Sequence, residues 1–180
     1  LKACIALSIV SRSLLLLLLR LAFVFFLSLA WLVGAALCLW IVSIMSSQRE
    51  LDKALLAAAE NGKSEEIRSL LDRGANINAV GADNNWTPLH LAARNGHHQC
   101  VELLLDRGAN INAVNTNNKW TPLHFASRHG HHQCIELLLD RGANINAVDT
   151  FNTDTPLHLA SRNGHHQCVE LLLDRGANIN

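Results

Sequence analysis

Residues 81–114, GADNNWTPLHLAARNGHHQCVELLLDRGANINAV, and residues 115–148, NTNNKWTPLHFASRHGHHQCIELLLDRGANINAV, agree at 26 of 34 positions. Residues 149–180 give the phrase again, from DTFNTDTPLHLA to DRGANIN, and a degenerate copy precedes them at 51–80, LDKALLAAAENGKSEEIRSLLDRGANINAV. A fixed period means that each copy is one small unit that cannot bury its apolar side alone and must stack on its neighbours.

Each copy reads as a short helix, a turn, a second helix and an exposed loop. Thr87 suits a helix N-cap and Pro88 the first helical position, where a missing N–H costs nothing. Leu89, Ala92 and Ala93 give the first helix a small apolar face, and Gly96 ends it. Cys100, Val101, Leu104 and Leu105, widened by Leu103, form the stripe of the second helix, and Gly108 stops it. The Asn-rich stretch from Ala109 to Trp120 has turn formers and little apolar periodicity, so it predicts a hairpin-like loop.

TPLHLA at 87–92, TPLHFA at 121–126 and TPLHLA at 155–160, each followed by the GHHQC and ELLLDRGANIN phrases, resemble the ankyrin repeat. The resemblance covers 51–180. It implies an all-α ankyrin-repeat solenoid, a right-handed stack of L-shaped helix pairs with finger-like loops on one side, acting as a non-catalytic protein-binding module. The period of 34 is one longer than the usual ankyrin period of about 33, with the extra residue in the fingertip. The fingertips read Asp83-Asn84-Asn85, Asn117-Asn118-Lys119 and Asn152-Thr153-Asp154 where the family often has Asp-Gly; Asn tolerates the positive φ of a tight turn. Residues 51–80 read as an N-terminal capping repeat, with Asp52 as a helix cap and Glu66 at the place of Cys100. The units are then 51–80, 81–114, 115–148 and 149–180, the last truncated and without a polar C-terminal cap.

Ten histidines invite a metal hypothesis, above all His97-His98-x-Cys100 and its copies at His131 and His165. A zinc ion needs four ligands at roughly 2.0–2.3 Å, whereas packed helices lie about 8–10 Å apart, so repeats cannot pool ligands. The first His of each pair is read as packing within its repeat and the Cys as a small core residue. His90, His124 and His158 are read as structural beside their Thr. No Gly-rich phosphate loop, CxxC pair or nucleophile elbow occurs. No catalytic, cofactor or metal residue is expected.

The three full copies differ at the fingertips, at Leu91/Phe125/Leu159, Ala93/Ser127/Ser161 and Asn95/His129/Asn163, and conservatively at Val101/Ile135/Val169. The ankyrin resemblance puts the contact surface at the fingertips and the inner face of the first helices, and drift at exposed positions is the competing reading. The partner-binding set expected there is Asn84, Trp86, Arg94 and Asn95; Asn118, Lys119, Trp120, Arg128 and His129; and Phe151, Asn152, Asp154, Arg162 and Asn163. Trp86, Trp120 and Phe151 serve as exposed aromatic anchors, since such side chains supply much interface energy.

Composition fits this picture: 180 residues, 49% hydrophobic and 17% charged, are too apolar for disorder. Lys2, Arg12, Arg20 and Arg49 against Glu50 make residues 1–50 +3, and the remaining 11 basic and 14 acidic residues make 51–180 −3. An acidic C-terminal part excludes a nucleic-acid partner, which needs a concentrated basic face. Cys100, Cys134 and Cys168, one period apart, read as reduced thiols at a repeated core position rather than a disulfide framework.

Behind an apolar, basic leader at 1–20, residues 21–45 carry no charge. As a helix they would extend about 37 Å, enough to span a hydrocarbon core of about 30 Å. A single-pass transmembrane helix at 21–45 and a short linker at 46–50 are expected. The competing readings are a cleaved signal peptide, the last span of a longer protein and a mistranslated upstream segment. Basic residues on the two sides tie, so the positive-inside rule leaves orientation open; the unpaired thiols favour a cytosolic side for the repeats. The functional expectation is a membrane-tethered protein-interaction scaffold. The alternatives are a regulatory segment of a membrane channel or transporter, and a secreted or receptor-like module.

Overall fold

The computed structural model describes residues 40–41, 43–81 and 84–179. The chain divides into two compact units, residues 1–47 and 48–180. In the first, the described residues are helical and expose Trp40, Ile41, Ile44 and Met45. The leader at 1–20 and most of the span expected at 21–45 lie outside the described residues. No helix among the described residues is long and apolar enough to cross a membrane.

The second unit holds the repeats. Helix α1 covers 48–60, followed by α2 (Ser64–Asp72), α3 (Pro88–Arg94), α4 (His98–Asp106), α5 (Pro122–His129), α6 (His132–Asp140), α7 (Pro156–Arg162) and α8 (His166–Asp174). No strand occurs among the described residues. α3, α5 and α7 stack as an inner row, while α2, α4, α6 and α8 form an outer row, each inner helix packing on the outer helix of its own repeat.

The start of each inner helix is set by Thr-Pro. Thr87, Thr121 and Thr155 lie in extended backbone, and proline opens the helix behind each. Between the rows sits a core of Leu89, Leu123, Leu104, Leu138 and Leu172 with Val101 and Ile135, all essentially inaccessible. The reduced Cys100, Cys134 and Cys168 occupy one equivalent core position each. Burial pushes their thiols up, Cys134 to about 12 with Cys100 adding repulsion. A thiol so far from ionising is a poor nucleophile and a poor metal ligand.

Neighbouring repeats are joined by contacts that recur with the period. His97, His131 and His165 reach back one repeat, their Nε2 donating to the carbonyls of Glu60, Arg94 and Arg128 at 3.0, 2.8 and 3.0 Å. They pack across the repeat boundary rather than within the repeat as expected. Room for the ring comes from a glycine: Gly96 has φ +74°, and a Cβ there would sit 2.6 Å from His131 Nδ1. On the loop side, the Asn78, Asn112 and Asn146 side chains accept the N–H of Asn110, Asn144 and Asn178, each at 2.9 Å. On the outer row Arg107 meets Asp72 at 2.9 Å and Arg141 meets Asp106 at 2.6 Å.

Residues 46–50, expected as a short linker, are helical throughout, and the division between the two units falls within them. One capping expectation is corrected. Asp52 lies inside helix and caps nothing; its Oδ1 instead accepts the Asn76 N–H at 2.8 Å and the Gln48 amide at 2.9 Å. It thereby replaces, for the first repeat, the Asn that the other repeats use on the same loop.

Candidate functional site

Each fingertip is bracketed by a backbone bond between residues five apart. The N–H of Gly81, Asn115 and Asp149 donates to the carbonyl of Trp86, Trp120 and Asp154 at 3.0–3.1 Å. Consecutive tips are tied by Thr116 N–H to the Asn84 carbonyl and Thr150 N–H to the Asn118 carbonyl. The positive φ falls one residue before the closing carbonyl, on Asn85, Lys119 and Thr153 at 52–56°. In two of the three tips the strained position is therefore not an asparagine.

Against the tips of the second and third repeats lies a groove of about 270 Å³, walled by Trp86, Arg94, Trp120, Phe125, Arg128 and His129, with Asn115, Asn117 and Asn118 along its loop edge. Phe125 stands between the two indoles, edge-on to Trp86 at 4.9 Å and to Trp120 at 5.1 Å between ring centroids. Arg94 lies over the Trp86 ring at 4.9 Å and Arg128 over Trp120 at 5.1 Å.

Of the expected contact residues, the groove brings together Trp86, Arg94, Asn118, Trp120, Arg128 and His129. Trp120, however, is no exposed anchor. It retains 6% of its surface because it packs with Phe125 and Leu159 while its Nε1 donates to Asp149 Oδ2 at 3.3 Å. Trp86 is half-buried, and its Nε1 has no acceptor among the described residues. The position equivalent to Asp149 is Asn115, whose single oxygen is already taken by the Trp120 N–H at 2.8 Å.

The remaining expected residues lie elsewhere. Asn84 accepts from the Asn117 amide at 2.7 Å, and Lys119 projects from its tip. Asn95 donates to the Glu60 carbonyl at 3.0 Å and Asn163 to the Leu159 carbonyl at 2.7 Å. Phe151 is 75% exposed at the last tip, beside exposed Asn152. Asp154 is buried, contrary to its expected place on a contact surface, and Arg162 is held on it by a two-pronged bridge of 2.7 and 2.9 Å. Phe125, Asn115 and Asn117 lie outside the expected set. Phe125 carries a signal in the sequence, since among the three full copies it is the one departure from leucine at its repeat position.

The histidines beside the cap threonines are structural. Nδ1 of His90 accepts from the Thr87 N–H at 3.1 Å and faces the Thr87 hydroxyl at 2.8 Å, so the ring proton sits on Nε2 and is donated to the Trp120 carbonyl at 3.1 Å. His124 repeats this toward Asp154 at 3.3 Å. Burial lowers His90 to about 4 and also lowers His124. Burial alone would raise the Asp149 carboxyl, but hydrogen bonds from the Asn152 N–H, the Trp120 indole and the Asp154 N–H outweigh it and hold it below the usual range. Among the described residues no group of three or more His, Cys, Asp or Glu could hold a metal ion.

The family model for ankyrin repeats, in three copies, matches residues 30–115 and 108–180. The chain belongs to the ankyrin-repeat family. Such repeats are protein-interaction modules and generally non-catalytic. Comparison with curated proteins gives no match.

Proposed function

We propose that this chain is a non-catalytic scaffold that captures a protein partner in the groove between its second and third repeats. The observation that carries the reading is where the repeats differ. Phe125 and His129, which interrupt otherwise repeating positions, both line the groove, as do the variable tips, whereas the outer helices α4, α6 and α8 are nearly identical. A cleft with an aromatic floor and a polar rim has the anatomy of an interface core. The scaffold is tethered by an apolar segment at 21–45, with the repeats on the cytosolic side; the uncharged length of that segment and the three reduced thiols support this part.

The test compares two double variants of the full chain by proximity labelling in cells. Trp86→Ala with His129→Ala should remove the labelled partner. Glu102→Ala with Glu136→Ala, on the outer row, should leave it. Thermal melts run alongside separate lost binding from lost folding. Retention in the first variant and loss in the second would place the interface on the outer row. Membrane co-sedimentation with and without residues 1–48 tests the tether.

A further inference from the structure

α3, α5 and α7 contain no acidic residue, and each carries an arginine in its last turn. Among α2 to α8 the carboxylates lie on the outer helices, where Asp72, Asp106 and Asp140 are already bridged by Arg107, Arg141 and Arg175; at the tips Asp149 accepts from the Trp120 indole and Asp154 is bound by Arg162. The last turns of α3 and α5 are thus locally basic. Among the described residues neither Arg94 nor Arg128 meets a carboxylate or donates a side-chain hydrogen bond. Each guanidinium is laid over an indole, which orients it and leaves its edge N–H donors unused.

The fourth repeat shows what those donors bind. Where the second and third repeats have Trp86 and Trp120, it has Asp154, and Arg162, at the helical position of Arg94 and Arg128, binds both carboxylate oxygens. One arginine position is therefore occupied by a carboxylate inside the chain, and the two beside the groove meet none among the described residues. Among the described residues, the groove wall supplies no acidic residue.

We propose that the groove takes an acidic segment in polyproline-II conformation, with two carboxylate side chains three residues apart that cap Arg94 and Arg128. The geometry follows from the stack. Neighbouring helices lie about 8–10 Å apart, and a polyproline-II chain returns to the same face every third residue, about 9 Å further on. A β-strand turns residue i+3 to its opposite face and misses the second arginine. Of the three rings it is the half-buried Trp86 indole that offers a surface to the ridges of such a chain, since Trp120 and Phe125 are almost wholly covered. This inference rests on the groove being the partner site.

The test uses the full chain in detergent micelles and fluorescein-labelled peptides read by anisotropy. The probe is Pro-Asp-Pro-Pro-Asp-Pro; the controls are Pro-Asn-Pro-Pro-Asn-Pro and Pro-Asp-Pro-Asp-Pro-Pro. The probe should bind at least tenfold tighter than either control, and Arg94→Gln with Arg128→Gln should erase the preference, while Arg107→Gln on the outer row leaves it. Equal binding of the amide peptide, or a preference that survives the double variant, overturns the proposal. So does tighter capture of a single-stranded oligonucleotide or a phosphopeptide by the same two arginines. If the cellular partner is lost with Trp86→Ala and His129→Ala but kept with Arg94→Gln and Arg128→Gln, the groove reading stands and the acidic one fails. If the first pair also leaves it bound, the groove reading itself fails.

Discussion

At Thr153 a β-branched residue occupies left-handed backbone, φ 54°, where a side chain crowds its own carbonyl. Thr153→Gly should raise stability by about 1 kcal/mol, read as a higher urea midpoint; no change would mean that the last tip relaxes out of that conformation in solution. His90 makes a second residue-scale prediction. Its folded-state value of about 4 lies below its ordinary 6.5, so between these values the unfolded chain binds a proton that the folded chain refuses. Stability contributed by keeping His90 neutral is full above pH 6.5, declines as pH falls, and is gone by pH 4, a loss of about 3 kcal/mol. His124 acts in the same direction. Thermal melts from pH 7 to pH 4 should show the slope, and His90→Gln should flatten part of it. A stability that is level through this window would mean that the ring is not held neutral.

At the scale of the element, the Gly-His turn between the two helices of a repeat is also a joint between repeats. Gly96 and Gly164 share the same positive φ, yet a Cβ at Gly96 meets the His131 ring while one at Gly164 meets nothing within 4 Å. Gly164→Ala should cost about 1 kcal/mol, the left-handed penalty alone. Gly96→Ala should cost about 3 kcal/mol, because the ring must also move off its carbonyl. Equal costs in denaturant titration would show that the ring has free room. This joint was only half legible in the sequence: glycine as a helix stop follows from chain chemistry, but a bond from His131 to Arg94 spans 37 residues and local patterns do not carry it. The fingertips divide in the same way. The TPLH helix starts and the core leucines could be read from spacing, whereas the burial of Trp120 depends on Leu159 and Asp149, which the next repeat brings in. Asp52 is illegible in sequence for a related reason, since a cap residue and a mid-helix carboxylate look alike unless the helix before it is known.

Within residues 48–180, α3 to α6 have described repeats on both sides, and α7 and α8 have one on a single side. Leu173 is 40% exposed, whereas its equivalents Leu105 and Leu139 are half-buried. Hydrogen exchange in this chain should therefore be slowest in α4 and α5 and fastest in α7 and α8, as nearest-neighbour coupling requires. Protection of α8 equal to that of α4 would contradict it. The clasps themselves are alike from one boundary to the next: a histidine on a carbonyl, an asparagine on an amide, an arginine on an aspartate. Nothing in them distinguishes the neighbour in sequence from an equivalent repeat in another molecule. A chain refolding in a crowd thus faces an ambiguity of address, and exchanged assemblies, in which a repeat of one molecule stacks on an equivalent repeat of another, become a natural kinetic trap whose yield rises with concentration.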